Sequence, residues 1–203
     1  MFVWDWIAEN YFELTAAALG VFSIFLQIKQ NPLYWLVALI MVSMYIWVYY
    51  QTKFYADMSL QVYYFVVSIY GWLHWVFGKN KRKKHDGEKK LPVSRLTDIE
   101  WMWSLLASGV LFVVIWQVLK HFTDSPVPVG DAFTTALSFV ATWMLARKII
   151  ENWLFWIVVD LVATGLYIYK GLYPTAVLFL FLTVMAVIGY KAWKKDLTKT
   201  VSV

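Results

Sequence analysis

Seven long apolar stretches, separated by short polar segments, dominate the hydropathy pattern of this chain of 203 residues. They cover approximately residues 12–28, 33–50, 60–78, 100–120, 131–147, 152–169 and 173–191. Each is close to the ~20 residues that a helix needs to cross the hydrocarbon core of a bilayer. They are too long and too uniformly apolar for barrel strands, the other structure that satisfies its backbone in lipid. The pattern therefore predicts an all-α polytopic membrane protein with seven transmembrane helices.

The amino-acid composition agrees with a membrane protein. Apolar residues make up 61% of the chain and charged residues 15%, against about 25% charged in a typical soluble domain. The chain contains no cysteine, which excludes disulfides, cysteine metal sites and thiol catalysis. The first residues lack the positive segment and the cleavage site of a signal peptide, so we expect them to be retained.

Lysine and arginine fall in clusters that predict the orientation of the chain. The largest cluster holds eight basic residues between the third and fourth stretches, from Lys79 to Arg95. If that loop is cytoplasmic, 15 of the 18 basic residues lie inside, and only Lys53, Lys120 and Lys170 lie outside. We therefore expect the N-terminus outside and the C-terminus in the cytoplasm. Because the net charge of +5 follows this topology pattern, no nucleic-acid partner is expected.

Short motifs recur in the two halves of the chain. The third stretch ends with Gly71–Trp75 and the seventh with Gly189–Trp193, and both segments read Gly-aromatic-x-x-Trp at an offset of 118 residues. The second and sixth stretches also begin alike, with Asn31–Trp35 and Asn152–Trp156. That second match has an offset of 121 residues, so it requires a three-residue insertion or deletion.

These repeats predict two parallel three-helix bundles joined by a linker helix. Three spans end on the side opposite to their start, so one extra crossing lets both bundles run in the same direction. Parallel repeats are one of two recurrent plans in transporters. The predicted segments are a first bundle at 1–78, a basic cytoplasmic loop at 79–99, a linker helix with an outer loop at 100–129, a second bundle at 130–193 and a cytoplasmic tail at 194–203.

Asp160 lies near the middle of the sixth stretch and is the residue that costs most to place in a membrane. Insertion scales give a central Asp roughly +2.5 to +3.5 kcal/mol, so such a residue is a functional-site hypothesis by default. The alternative is a carboxyl group that is protonated, or that is paired with a Ser, Thr or Tyr of another helix.

The same stretch carries aromatic and hydroxyl residues on the face of Asp160. Trp153, Trp156 and Asp160 are spaced i, i+3 and i+7, and Thr164 and Tyr167 continue this stripe. Two indoles and a carboxylate on one face would suit a flat, cationic heteroaromatic ligand. The alternative for the tryptophans is a place in the interfacial aromatic belt.

A second polar stripe follows the third stretch at helical spacing. Its residues are Gln61, Tyr64, Ser68 and Trp72. Their amide, phenol and hydroxyl groups either bind a carboxamide and sugar hydroxyls or join neighbouring helices. In the fifth stretch, Thr134, Ser138 and Thr142 are spaced by four residues and are either ligand contacts or close-packing positions.

The sequence contains no recognisable catalytic, metal-binding or ATP-binding motif. His74, His85 and His121 do not cluster, so neither a metal site nor a cofactor is expected. The HExxH, Walker and GxSxG patterns are absent. A proton-driven pump would need a chain of buried acids, and Asp160 is the only acid near the middle of a predicted span. We therefore expect neither an enzyme nor a motor-driven pump.

Three groups of motif segments, taken together, carry a family resemblance. They are Phe54–Gln61 with Tyr70–Trp72, Leu145–Lys148 with Glu151–Trp153, and Tyr169–Tyr173. In addition, Trp153, Trp156 and Asp160 match the pattern WxxWxxxN/D. In these features the chain resembles the PnuC family of bacterial vitamin transporters along nearly its whole length.

The resemblance implies a fold like that of a full-length SWEET sugar transporter, and a homotrimer in the bacterial cytoplasmic (inner) membrane. It also implies uniport, the facilitated diffusion of nicotinamide riboside for NAD biosynthesis. A cytosolic kinase would trap the vitamin by phosphorylation without having to contact the transporter. The alternative substrate is thiamine or another B-vitamin, because related members of the family are assigned to thiamine, which is also a cationic heteroaromatic vitamin. The predicted substrate-binding residues are Gln61, Tyr64, Ser68, Trp72, Thr142, Trp153, Trp156, Asp160, Thr164 and Tyr167.

Overall fold

A computed structural model describes residues 19–51, 53, 55–78 and 91–201 of the chain. Its helices are α1 (described over Leu19–Ile28), α2 (Leu33–Gln51), α3 (Tyr55–Phe77), α4 (Asp98–Phe122), α5 (Pro128–Ala146), α6 (Asn152–Tyr169) and α7 (Tyr173–Val201). Across these ranges the only extended pairing is one isolated β-bridge, between Ser94 and Ile149. The predicted all-α fold is thus confirmed. The start of the first apolar stretch and most of the basic loop, at 79–90, lie outside the described residues.

Five of the described helices are long and apolar enough to cross a membrane, namely α2, α4, α5, α6 and α7. The bounds predicted for the sixth stretch are confirmed residue for residue. α5 begins three residues earlier than predicted, because a proline such as Pro128 suits the first turn of a helix. α7 continues ten residues beyond the predicted end at 191, since Lys, Ala and Leu in that segment favour a helix and neither Gly nor Pro interrupts it.

The chain divides into two compact units, Met1–Phe77 and Gly78–Val203. In the first unit, α2 packs against α3. In the second unit, α4 packs against α5, and α6 packs against both α5 and α7. The helix that carries Asp160 therefore has a neighbouring helix on each side within its own unit.

The turn between α1 and α2 and the turn between α5 and α6 have the same backbone structure. Gln30 and Lys148 both adopt a left-handed conformation, with φ of 54° and 55°. In each turn the following amide donates a hydrogen bond of 2.9 Å to a carbonyl five residues back, that of Leu26 in one and Met144 in the other. This is the Schellman motif that commonly ends a helix, and here it occurs twice at an offset of 118 residues.

A tryptophan packs against a glycine and a second tryptophan in each unit. The first aromatic joint is Trp35, Gly71 and Trp75, and the second aromatic joint is Trp153, Gly189 and Trp193. In both joints the two indoles meet edge to face with ring centroids 5.6 Å apart. A β-carbon built on either glycine would lie 2.5 Å from the neighbouring indole. The joints fasten α2 to α3 and α6 to α7 in the same way.

One expectation about the repeat is wrong. The joints show that Trp35 corresponds to Trp153. The offset between them is 118 residues, the same as between the two glycines and between the two turns. The match of Asn31–Trp35 to Asn152–Trp156 at an offset of 121 is therefore incorrect, and no insertion is needed. α6 carries two tryptophans three residues apart, so the sequence of α2 can be aligned with α6 at either offset. Of the two, Trp153 is the one that packs against a glycine.

A candidate ligand site along α6

Asp160 is a buried residue whose carboxylate has no partner among the described residues. The residue is 4% exposed and lies in the middle of α6. Within the part of the chain that the structure describes, no hydrogen bond or ion pair reaches its side-chain oxygens; only its main-chain carbonyl is used, by the hydroxyl of Thr164 at 2.7 Å. A buried charged group without a partner is costly, so a ligand of opposite charge would be stabilised here.

Trp156 lies one helical turn before Asp160 and also has an unused polar atom. Its side chain is half-buried, and its indole Nε1 is buried without a hydrogen-bond acceptor among the described residues. Buried indole N–H groups usually find a partner. A donor and a carboxylate that have no partner among the described residues therefore lie one turn apart on α6, an arrangement that can bind a cation carrying a hydrogen-bond acceptor.

Thr164 and Tyr167 extend the stripe of α6. The hydroxyl hydrogen of Thr164 is donated to the Asp160 carbonyl, which leaves its oxygen free to accept a hydrogen bond. The ring of Tyr167 stacks on Phe179 of α7 with centroids 5.0 Å apart, and the Lys170 ammonium lies 5.9 Å from its centre. Thr164 thus continues the polar stripe, while the ring of Tyr167 takes part in helix packing.

Trp153 differs from Trp156 in its surroundings. It is fully buried, and its ring belongs to the second aromatic joint with Gly189 and Trp193. Its Nε1 has no acceptor among the described residues either, as is also true of Trp35 in the first joint. The geometry of Trp153 is thus that of a packing residue which recurs in both units.

The hydroxyl residues of α5 form a ladder along their own helix. Thr142 donates to the carbonyl of Ser138 at 2.8 Å, and Ser138 donates to the carbonyl of Thr134 at the same distance. Thr142 is 7% exposed. Their hydrogens are spent within α5, so Thr142 can serve a ligand as an acceptor.

The four predicted residues of α3 belong to the first unit. Ser68 is buried, at 3% exposed, whereas Gln61, Tyr64 and Trp72 are half-buried. The ring of Trp72 meets Phe77 edge to face at 6.3 Å. The structure therefore groups the ten predicted residues as four on α3 and six on α5 and α6.

The polar residues of the candidate site do not follow the repeat. At the offset of 118 residues, Ser68 corresponds to Ala186, and Asp160 corresponds to Val42. Both Ser68 and Ala186 are buried, so the position is retained while its chemistry changes. The repeated features are the turns and the joints, and the polar groups are specific to one unit.

Two buried charged residues that lie just before the stripe were missed as site residues. Lys148 is 3% exposed and Glu151 is 7% exposed. A signal was present, because both lie in segments that carry the family resemblance.

Comparison with known proteins identifies the family. A family model described as "Nicotinamide mononucleotide transporter" matches residues 10–195. The chain belongs to this family. The predicted resemblance to PnuC transporters is thereby confirmed, and the family is one of membrane transporters and not of enzymes.

Individual relatives support this assignment at low identity and high coverage. The chain is 24% identical over 208 residues to the nicotinamide riboside transporter PnuC of Escherichia coli strain K12, covering 91% of this chain and 85% of that protein. It is 26% identical over 195 residues to the PnuC of Neisseria mucosa, covering 92% and 73%. It is also 25% identical over 128 residues to the riboflavin/roseoflavin transporter RibM of Streptomyces davaonensis, covering 63% and 58%.

The fold matches a solved structure of the same family. The crystal structure of the vitamin B3 transporter PnuC superposes with a TM-score of 0.73 at 25% identity, covering 98% of this chain and 86% of that chain. The predicted polytopic all-helical fold is confirmed by this match.

Proposed function

We propose that this chain is a uniporter that carries nicotinamide riboside across the bacterial cytoplasmic membrane by facilitated diffusion. The PnuC relatives, which carry that substrate in their names, support vitamin transport. The observation that carries the proposal is a pair of polar groups on α6, the carboxylate of the buried residue Asp160 and the indole N–H of Trp156. Neither has a partner among the described residues. Nicotinamide riboside has a fixed positive charge on a flat ring, and a carboxamide next to it.

Charge complementarity explains why a cationic ring would bind at Asp160. Opposite charges attract far more strongly in a medium of low dielectric constant than in water. The substrate would therefore supply the countercharge that the described residues do not provide. Trp156 would stack on the ring or donate its N–H to the carboxamide oxygen.

The other predicted residues of α5 and α6 would contact the ribose or pack the helices around the site. Thr164 and Thr142 would accept hydrogen bonds from ribose hydroxyls, because their own hydrogens are already donated within their helices. The substrate-binding roles predicted for four residues of α3 in the first unit stay predictions. They are Gln61, Tyr64, Ser68 and Trp72. Trp153 and Tyr167 would position the site through packing.

The energetics of the cycle follow from uniport. Facilitated diffusion brings a solute only to electrochemical equilibrium, which for a cation means equal concentrations when there is no membrane potential. Accumulation beyond that equilibrium needs a later chemical step. Phosphorylation by a cytosolic kinase would provide it for NAD biosynthesis, with no contact between kinase and transporter. The distribution of basic residues supports a cytoplasmic C-terminus and an external N-terminus. We further propose a homotrimer, as the family resemblance implies.

Uptake into proteoliposomes tests the proposal. The purified protein is reconstituted without ATP or an ion gradient, and uptake of radiolabelled nicotinamide riboside is followed with thiamine or riboflavin as competitors. We expect saturable uptake that unlabelled nicotinamide riboside competes best. Stronger competition by thiamine would favour the alternative substrate. Stronger competition by riboflavin, the vitamin named for the relative RibM, would instead favour an uncharged ring and would remove the role of Asp160 as a countercharge.

Trapping is tested in the same vesicles. With a nicotinamide riboside kinase and ATP enclosed, the total internal label should rise above the external concentration. Without the kinase it should stop at equality. Accumulation above equality in vesicles that lack the kinase would contradict uniport.

A further inference from the structure

An extended segment lies across the turn between α5 and α6 in the second unit. This segment, Leu91–Thr97, is called the strap below. The Ser94 amide donates to the Lys148 carbonyl at 3.0 Å, and the Ile150 amide donates to the Ser94 carbonyl at 3.0 Å. These two bonds form the isolated bridge that pairs the middle of the strap with the turn.

Two charged side chains of the turn hold the two ends of the strap. The Lys148 ammonium donates to the Leu91 carbonyl at 2.9 Å, and the Glu151 carboxylate accepts from the Leu96 amide at 3.1 Å. Both side chains are buried. Burying a charge is costly unless it is hydrogen-bonded, so these contacts are needed to keep Lys148 and Glu151 in place.

The first unit has the same turn, and none of its described residues forms an equivalent strap over it. Leu33 occupies the position of Glu151 at the offset of 118 residues, and it is 53% exposed, whereas Glu151 is 7% exposed. Because the backbone of the two turns is alike, the strap is an addition to the repeat and not part of it. The addition occurs on the unit that holds Asp160.

The strap is connected to the candidate site through a shared hydrophobic cluster. The members of this cluster are Val140, Ala141, Met144, Ile149 and Phe155. Leu96 of the strap and Trp156 of the site both pack against it. In addition, Glu151 immediately precedes the first residue of α6. A shift of the strap would therefore be transmitted to the first turn of α6 and to Trp156.

We propose that the strap is an anchor that fixes α6, and that Glu151 is a positioning residue for ligand binding at Trp156 and Asp160. This inference rests on the proposed function, since it concerns the same site. Glu151 acts through Leu96 and α6 and does not touch the ligand. Lys148 acts in the same way at the other end of the strap.

The decisive variants separate the hydrogen bond of Glu151 from its charge. In Glu151→Ala the part-buried Leu96 amide loses its acceptor, and we expect the half-saturation concentration for uptake to rise about tenfold. Glu151→Gln keeps an acceptor oxygen, so its half-saturation concentration should lie within about twofold of the wild-type value. Leu33→Ala, at the matched position of the first unit, should leave it unchanged.

A second pair of variants tests the other end of the strap. Lys148→Met removes the donor to the Leu91 carbonyl while keeping a long side chain, and it should also raise the half-saturation concentration. Arg147→Ala is the control, because the ion pair of Arg147 with Glu100 is partly exposed, at 40% and 34% of the side chains, and contributes little.

A purely structural role would give a different result. If Glu151→Ala lowers only the unfolding temperature or the maximal rate and leaves the half-saturation concentration unchanged, the positioning role is overturned. If the wild type takes up thiamine or riboflavin and not nicotinamide riboside, the substrate assignment fails and the same variants are compared with that vitamin. If the wild type takes up none of the three, both proposals fail.

Discussion

The indole of Trp153 lies so close to Gly189 that no β-carbon fits between α6 and α7 at this point. An added β-carbon would lie 2.5 Å from the ring carbons, and the same distance separates Trp35 from a β-carbon on Gly71. A glycine without side-chain atoms lets the large ring approach the neighbouring backbone. This contact packs α7 closely against the start of α6, the helix that carries the candidate site.

Gly189→Ala is expected to destabilise the protein. The indole would have to move in a packed interior, and overpacking of this kind typically costs about 1–3 kcal/mol. The unfolding temperature of the purified protein in detergent measures the effect, and Gly71→Ala should behave alike. Gly165→Ala in α6 is the control, because a β-carbon there meets nothing within 4 Å. A Gly189→Ala variant as stable as the Gly165→Ala variant would contradict the tight joint.

Trp153→Phe is expected to lower mainly the stability of the protein, whereas Trp156→Phe is expected to lower mainly its affinity for the substrate. At Trp153, Phe leaves a cavity in the second aromatic joint, so stability should fall by roughly 1–3 kcal/mol with affinity little changed. At Trp156, Phe removes the buried N–H donor, so affinity for the substrate should fall more than stability. Calorimetric titration and thermal unfolding of both variants measure the two quantities. A loss of affinity confined to Trp153→Phe would assign the ligand to that residue instead.

The sequence predicts the helices well because span length and apolar composition are local properties. The bounds of α6 follow from a run of apolar residues between Glu151 and Lys170. The stripe of Trp156 and Asp160 is likewise local, since helical spacing alone puts the two side chains one turn apart. That neither group has a partner among the described residues is a finding of the structure.

The remaining features depend on contacts between distant residues, which periodicity does not reveal. The sequence alone could not decide whether Trp35 matches Trp153 or Trp156. The glycine in contact with the ring is distant in sequence, 36 residues after Trp35 in the first unit and 36 residues after Trp153 in the second. The strap could not be predicted from the sequence for a similar reason. The bond from Leu96 to Glu151 joins positions 55 residues apart, and a Glu beside a helix end is ordinarily solvated.

Lys53→Gly is expected to stabilise the first unit. Lys53 has φ of 60°, and Gly171, with φ of 73°, occupies the equivalent position of the second unit. A left-handed conformation costs an L-residue roughly 1–2 kcal/mol, so Gly should raise the unfolding temperature. Lys53→Ala is the control, because it removes the side chain without relieving the backbone. Gly171→Ala should be destabilising, and a neutral result there would show that the turn tolerates a β-carbon.

Asp160→Asn is expected to weaken the binding of nicotinamide riboside and to spare its reduced, uncharged form. The amide keeps the shape of the carboxylate but loses the charge that faces the cationic ring, so affinity for the cation should fall at least tenfold, about 1.4 kcal/mol. Asp160→Ala should abolish binding of the cation. Calorimetric titration of both forms of the riboside measures this, with Thr164→Val as a neighbouring control that keeps the charge. Equal losses for the charged and reduced ligands would mean that Asp160 acts through shape or hydrogen bonding and not through charge.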